Sequence, residues 1–245
     1  RVTKTFANIE NYYGNSSRDY RDTVRGSNQD NIIRTYGGND TVYISNGSDV
    51  YDGGTGHDTL NASEYGGSRP LDVNFRLGKI MPGRSYEKSF TGFEVYEGNR
   101  NGTRADVVTT TDGYQEIRTY GGNDTVTISG GNDYYWAGEG IDTLSARDFN
   151  SNVRADLHRR TVSTDLGNNI DAIDFENYEG NFSVRANDDV LGTFGRNVIK
   201  TYGGEDTVYL SKGNDDYDGG QDIDTLDANS RPEVLGQARS MAFNM

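Results

Sequence analysis

The sequence predicts an all-β fold, a parallel solenoid wound from nine-residue units. Two observations predict it. An apolar or Tyr residue recurs every nine residues, five times, in three separate blocks: Val24, Ile33, Val42, Tyr51, Leu60; Val108, Ile117, Val126, Tyr135, Leu144; and Val190, Ile199, Val208, Tyr217, Leu226. The blocks also repeat as wholes. Thr35-Tyr36-Gly37-Gly38 returns as Thr119-Tyr120-Gly121-Gly122 and again as Thr201-Tyr202-Gly203-Gly204, once in each later block.

Each block opens on a marker: Ile9-Glu10-Asn11-Tyr12-Tyr13-Gly14-Asn15, Phe93-Glu94-Val95-Tyr96-Glu97-Gly98-Asn99, and Phe175-Glu176-Asn177-Tyr178-Glu179-Gly180-Asn181. Five nine-residue units follow, then a less regular connector. This places three tandem blocks at about residues 6–90, 91–172 and 173–245, read as one elongated domain over 1–245. Within a unit, a turn of about six residues precedes a strand of about three. Two units make a coil of about 18 residues, with turns on opposite sides and parallel strands stacked about 4.8 Å apart. The first connector alternates Leu71, Val73, Phe75 and Leu77, as a strand does, and Val153, Ala155 and Leu157 echo it. The third loses the pattern after Leu226, so its tail is expected to be frayed. Helix is unsupported, because the units are rich in Gly and carry no 3.6-residue apolar stripe.

Only 32% of the 245 residues are hydrophobic, 32 are Gly, and the mean hydropathy is −0.82. The strict period argues against disorder and implies a thin core, one residue deep per strand. A net charge of −14, from 38 acidic and 24 basic side chains, argues against nucleic acid as a partner. Self-repulsion at that charge opposes compaction, so counter-ions would favour folding. Without Cys there are no disulfides and no Cys-ligated metals. No apolar run is long enough to span a bilayer and no signal peptide opens the chain. The start at Arg1, close to a block marker, is expected of a fragment or a processed product.

Chemistry enters through a second column. Asp stands two residues before twelve of the fifteen rungs, and the exceptions, Asn31, Gln115 and Asn197, all fall on the second rung. The turn Gly53-Gly54-Thr55-Gly56-His57-Asp58, followed by Thr59-Leu60, fits the nonapeptide Gly-Gly-x-Gly-x-Asp-x-apolar-x at every fixed position. On these residues the chain resembles the RTX, or hemolysin-type calcium-binding, repeats of secreted bacterial proteins. The resemblance implies a parallel β-roll or β-helix solenoid built from nonapeptide calcium-binding repeats.

The physical logic supports Ca²⁺ independently. Calcium takes six to eight oxygen ligands, mixing carboxylates with carbonyls. One turn cannot supply them, but two turns stacked one coil apart can. Glycine lets a turn aim its carbonyls inward, which makes Gly37, Gly38, Gly53, Gly54, Gly56, Gly121, Gly122, Gly138, Gly140, Gly203, Gly204, Gly219 and Gly220 candidate site residues. The gaps Asp40–Asp58, Asp124–Asp142 and Asp206–Asp224 are expected to bind most tightly. Those opened by Asp22, Asp106 and Asp188 should be weaker, because their turns lack the glycines. If all six filled, roughly 12 positive charges would approach the net charge of −14. The opposite edge, with Asp49, Asp133 and Asp215 facing an amide, should bind weakly or not at all. One edge of the solenoid is therefore expected to carry the calcium throughout.

Tyr36, Tyr120 and Tyr202 stand at a glycine position of the signature, and stacked rings are the expected reading. His57 and His158 are not expected to be catalytic, and no nucleophile–base set or phosphate loop occurs. The leading expectation is a non-enzymatic structural or adhesive segment of a larger exported protein. The resemblance implies secretion through a one-step channel and folding on calcium outside the cell, at the surface or in the medium. Alternatives are an accessory module of a secreted polysaccharide epimerase or lyase, lipase or protease, or a self-associating surface-layer or filament subunit. A cell-surface or extracellular ligand would be the partner of an adhesive segment.

Overall fold

The structure, a computed structural model, describes residues 9–17, 20–66, 70–83, 87–100 and 104–228. All regular structure among them is β, and no helix among them is long and apolar enough to cross a membrane. The expected frayed tail lies largely outside the described residues. Two compact units are present, the first running up to Thr125 with Ala137–Gly140, the second comprising Val126–Trp136 and the chain from Ile141 onward.

The first unit holds β1 (Asn11–Tyr13), β2 (Thr23–Arg25), β3 (Ile32–Arg34), β4 (Thr41–Tyr43), β5 (Val50–Asp52), β6 (Thr59–Asn61), β7 (Leu71–Asn74), β8 (Lys79–Pro82), β9 (Lys88–Thr91), β10 (Val95–Glu97), β11 (Asp106–Thr109) and β12 (Glu116–Gly121). One sheet runs β1-β3-β5-β9-β8-β7-β11 and the other β2-β4-β6-β10-β12. Each coil is two nonapeptides long: Val24 faces Val42, Val42 faces Leu60, and Ile33 faces Tyr51, all in parallel register. The marker strand β10 continues the ladder, with Tyr96 between Leu60 and Ile117.

The connector is a three-stranded antiparallel meander, β7-β8-β9, whose outer strands pair in parallel with β11 and β5. Its first strand ends at Asn74 rather than reaching Leu77: Phe75 to Gly78 turn the chain back, and Leu77 is exposed.

β13 (Thr125–Thr127) and β14 (Tyr134–Glu139) lie where the two units divide. The second unit continues with β15 (Thr143–Ser145), β16 (Val153–Asp156), β17 (Thr161–Thr164), β18 (Asn169–Ile173), β19 (Asn177–Glu179), β20 (Asp188–Leu191), β21 (Val198–Lys200), β22 (Thr207–Tyr209), β23 (Asp216–Asp218) and β24 (Thr225–Asp227). Here the sheets run β15-β19-β21-β23 and β18-β17-β16-β20-β22-β24, and the meander is β16-β17-β18.

Five nonapeptide strands, one meander and one marker strand make seven passes per block, an odd number. The odd rungs therefore change sheet from one block to the next. In the first unit Val24, Val42 and Leu60 share a sheet with β10, whereas Val108 lies beside β7 in the other. In the second unit Leu144 and Val190 are likewise on different sheets. The Asp-rich turns thus do not stay on one edge, contrary to the sequence-based expectation.

Most three-residue strands bury their central side chain, as a period of two requires. Val42, Tyr51, Leu60, Tyr96, Ile117, Tyr135, Leu144, Tyr178 and Ile199 are fully enclosed. The core is nevertheless deeper than one residue per strand. The chain stays extended beyond each strand, so the residue two after the rung also points inward: Thr35, Ile44, Ala62, Ile128, Ala146 and Leu210 are all buried. The residue two before the rung shares that face, and it is the Asp.

Leu60 and Leu226 are equivalent by repeat, yet Leu60 is 0% exposed and Leu226 45%. Leu60→Ala is expected to cost about 2–5 kcal/mol and Leu226→Ala less than about 1 kcal/mol, read from urea-denaturation midpoints in calcium.

Candidate metal sites

The alternation that builds the core also builds the site. Asp40, Asp58, Asp106, Asp124, Asp142, Asp188 and Asp206 are all buried, with Asp22 and Asp224 half-buried at the ends of their stacks. A buried carboxylate must have compensating partners. One oxygen of Asp40, Asp58, Asp124, Asp206 and Asp224 finds the turn one coil earlier. The Asp22 N–H donates to Asp40 Oδ1 at 2.7 Å, Asp40 N–H to Asp58 Oδ1 at 2.7 Å, and Asp106 N–H to Asp124 Oδ1 at 2.6 Å. Asp188 N–H reaches Asp206 Oδ1 at 2.7 Å, and Asp206 N–H reaches Asp224 Oδ1 at 3.1 Å. Two glutamates extend the column. Asp58 N–H donates to Glu94 Oε2 and Asp142 N–H to Glu176 Oε2, at 2.9 and 2.8 Å. Neither was singled out as a ligand from the sequence, although both stand second in the block markers.

The second oxygen sorts the aspartates. In the first turn of each block it is taken by the marker tyrosine. Tyr12 bonds Asp22, Tyr96 Oη donates to Asp106 Oδ2 at 2.8 Å, and Tyr178 Oη to Asp188 Oδ2 at 3.0 Å. Arg104 adds an ion pair to Asp106 at 2.9 Å, and the Asn181 amide reaches Asp188 Oδ1 at 3.3 Å. In the later turns of the same columns, Oδ2 of Asp40, Asp58 and Asp206 is buried and has no hydrogen-bond partner.

On the fourth rung, Tyr51, Tyr135 and Tyr217 donate to Oδ2 of Asp49, Asp133 and Asp215 at 2.6, 2.5 and 2.8 Å. Asp49 is further engaged by Ser45 and by the Lys88 ammonium at 3.0 Å, with both charged side chains at 0% exposure. On the second rung the amides close their own turns. Asn31 Oδ1 accepts the Ser27 N–H and its Nδ2 donates to Ser27 Oγ. Gln115 with Thr111, and Asn197 with Thr193, repeat both bonds. A carboxylate could not donate the second bond, so a neutral amide completes these turns without a cation.

The turn backbone supplies further oxygens. Gly38, Gly56, Gly122, Gly140 and Gly204 occupy the position two before Asp with φ between +117° and +153°. A Cβ on Gly56 would overlap the Gly38 carbonyl oxygen, and one on Gly38 the Tyr20 carbonyl oxygen, so only glycine permits the stacking. Gly54, Gly138 and Gly220 are also left-handed, packed over the carbonyls of Tyr36, Tyr120 and Tyr202. Gly53 and Gly219 lie against the side chains of Asp58 and Asp224, and Gly37 and Gly203 against the carbonyls of Ser16 and Phe182. Gly121 is buried at the end of β12.

Tyr36, Tyr120 and Tyr202 are themselves left-handed, at φ 69°, 70° and 67°, a conformation costing roughly 1–2 kcal/mol for a non-glycine residue. Tyr202 meets a ring, that of Phe182 at 4.6 Å between centroids, and arginines cover the rings of Tyr120 and Tyr202 as well. Arg100 lies over Tyr120, and Arg147 over both Tyr202 and Phe182.

Burial dominates the electrostatics. It lifts the Asp58 and Asp188 carboxyls to about 7 and those of Asp124 and Asp206 to about 6, and raises Asp40 and Glu176. The donor set is all hard oxygen, with buried carboxylate oxygens that no hydrogen bond satisfies, and this fits Ca²⁺. Among the described residues no three His, Asp or Glu side chains converge on one point, so such an ion would draw part of its shell from turn carbonyls.

The family model for the RTX calcium-binding nonapeptide repeat (4 copies) matches residues 16–51, 43–64, 101–134, 109–144 and 191–226, together more than half of the chain. The chain belongs to this family, and the ion of these repeats is Ca²⁺. No curated protein matches it. Among solved structures it is similar to the extracellular lipase LipA from Serratia marcescens, at 11% identity and a TM-score of 0.28. That match covers 84% of this chain and 33% of the lipase, so the chain spans about a third of that protein's length.

The folded-state carboxyl pKa values lie above the unfolded value of about 4, so the metal-free fold holds protons that the unfolded chain has released. Its stability is therefore lost as pH rises from about 4 to about 7 and is regained on acidification. Thermal melts in chelator are expected to give a higher Tm at pH 5 than at pH 8, with the order reversed in excess calcium, where protons compete with the ion.

Proposed function

We propose that the chain is a calcium-dependent structural or adhesive β-roll segment of a larger exported protein, acting as a scaffold rather than a catalyst. Its site of action is the cell surface or the extracellular medium. The observation that carries this reading is the set of buried Oδ2 atoms on Asp40, Asp58 and Asp206, which accept no hydrogen bond. Calcium bound there would supply the positive charge that these oxygens lack. Asp40 with Asp58 and Asp206 with Asp224 would hold it, helped by the carbonyls of their glycine turns. Asp22, Asp106 and Asp188, already tied to tyrosine, would contribute less. Asp124 and Asp142 belong to the same class as Asp58 by burial and repeat position.

The chain's own groups then act as a folding switch. At low calcium, buried carboxylates repel one another and oppose coil closure; at high calcium, binding to the folded state alone stabilises it by mass action. That dependence suits a chain that must stay unfolded until it is exported.

Far-UV circular dichroism before and after chelation tests the switch; an unchanged β-spectrum without calcium at neutral pH would refute it. Asp58→Asn keeps the acceptor for the Asp40 N–H and removes the charge. The variant is expected to be at least as stable as the parent in chelator at pH 8, yet to lose about tenfold or more in affinity for one calcium ion by calorimetry.

A further inference from the structure

Asp49 and Asp106 are turn carboxylates that each carry a cation from the protein itself. We propose that Lys88 is a tethered substitute for a metal ion, seated in a nonapeptide turn that would otherwise take calcium. Its ammonium contacts Asp49 Oδ2 and the carbonyl oxygen of Gly47, one carboxylate and one turn carbonyl, which are the donor types a calcium ion uses. Ser45 Oγ and Asn31 Oδ1 stand beside the same carboxylate, linked through hydrogen bonds of 3.2 and 3.4 Å. Lys88 is 0% exposed, and its seat lies between neighbouring passes of the roll.

The placement comes from the meander and not from the repeat. Ser89 N–H donates to the Asp49 carbonyl, so Lys88 is delivered level with the Asp49 turn. In the second block Asp171 N–H makes the same bond to the Asp133 carbonyl, and the residue before it is Ile170. The internal cation is therefore particular to the first connector. Arg104 does the same for Asp106 on the far side of that connector, where the equivalent turns have Tyr20 and Ala186. The first connector is thus flanked by two carboxylates neutralised without metal, which lets this stretch close at calcium concentrations too low for its neighbours.

The inference rests on the calcium reading of the later turns, and the test separates the two. Lys88→Ala leaves the carboxylate, carbonyl and hydroxyl oxygens around an emptied seat. With calcium as the only probe, calorimetry is expected to count one more ion per chain than in the parent. In chelator the variant's Tm should fall by about 10 °C, with most of that deficit recovered in excess calcium. Lys88→Met fills the same volume without charge; it should gain no ion and stay destabilised in both buffers. Unchanged stoichiometry in Lys88→Ala, an equal Tm deficit with and without calcium, or failure to fold even in calcium would overturn the inference. A parent chain that binds no calcium would overturn the underlying reading as well.

Discussion

The structure depends on one constraint: the turn aspartates that precede its core rungs lie on the inside. A strand places residues two apart on the same face, so the Asp two before each core residue points inward with it. Asp40, Val42 and Ile44 form one inward row and Asp58, Leu60 and Ala62 the next. The Asp column is thus part of the core, and the fold must neutralise each carboxylate that it buries.

It does so by several chemical routes, and the route sets the role of each turn. The first Asp of a block accepts a tyrosine from the marker strand. The fourth accepts the tyrosine two residues ahead of it. The second position avoids the charge altogether with an amide bonded to Ser27, Thr111 or Thr193. Asp40, Asp58 and Asp206 keep one oxygen for the backbone of the preceding coil and leave the other without a hydrogen-bond partner. On the proposed function, metal dependence is therefore concentrated in particular coils of an otherwise uniform repeat.

The connectors are structural parts of the roll. Each meander widens one sheet by three strands while the marker strand adds one to the other. Together with five nonapeptides this gives an odd number of passes, so the Asp-rich turns change sides at every block. The connectors and the block markers bring in side chains that the repeat lacks: the marker tyrosines, Glu94 and Glu176 at the ends of Asp stacks, and the buried cations Lys88 and Arg104.

The nine-residue period by itself determined the parallel coil of two nonapeptides, the in-register core ladder and the column of Asp turns. These are local consequences of strand alternation and glycine turns, repeated often enough to be legible. The loss of Asp on the second rung was legible too, though its reason, a donated hydrogen bond to a hydroxyl four residues earlier, appears only in the fold. Tertiary structure alone decided which sheet each rung joins, because that depends on the parity of passes through an irregular connector. It alone decided that Asp49 faces a lysine from a distant meander strand and Asp106 an arginine. Sequence spacing reports which residues share a column. The partner that neutralises each of them comes from a neighbouring pass, and only packing brings the two together.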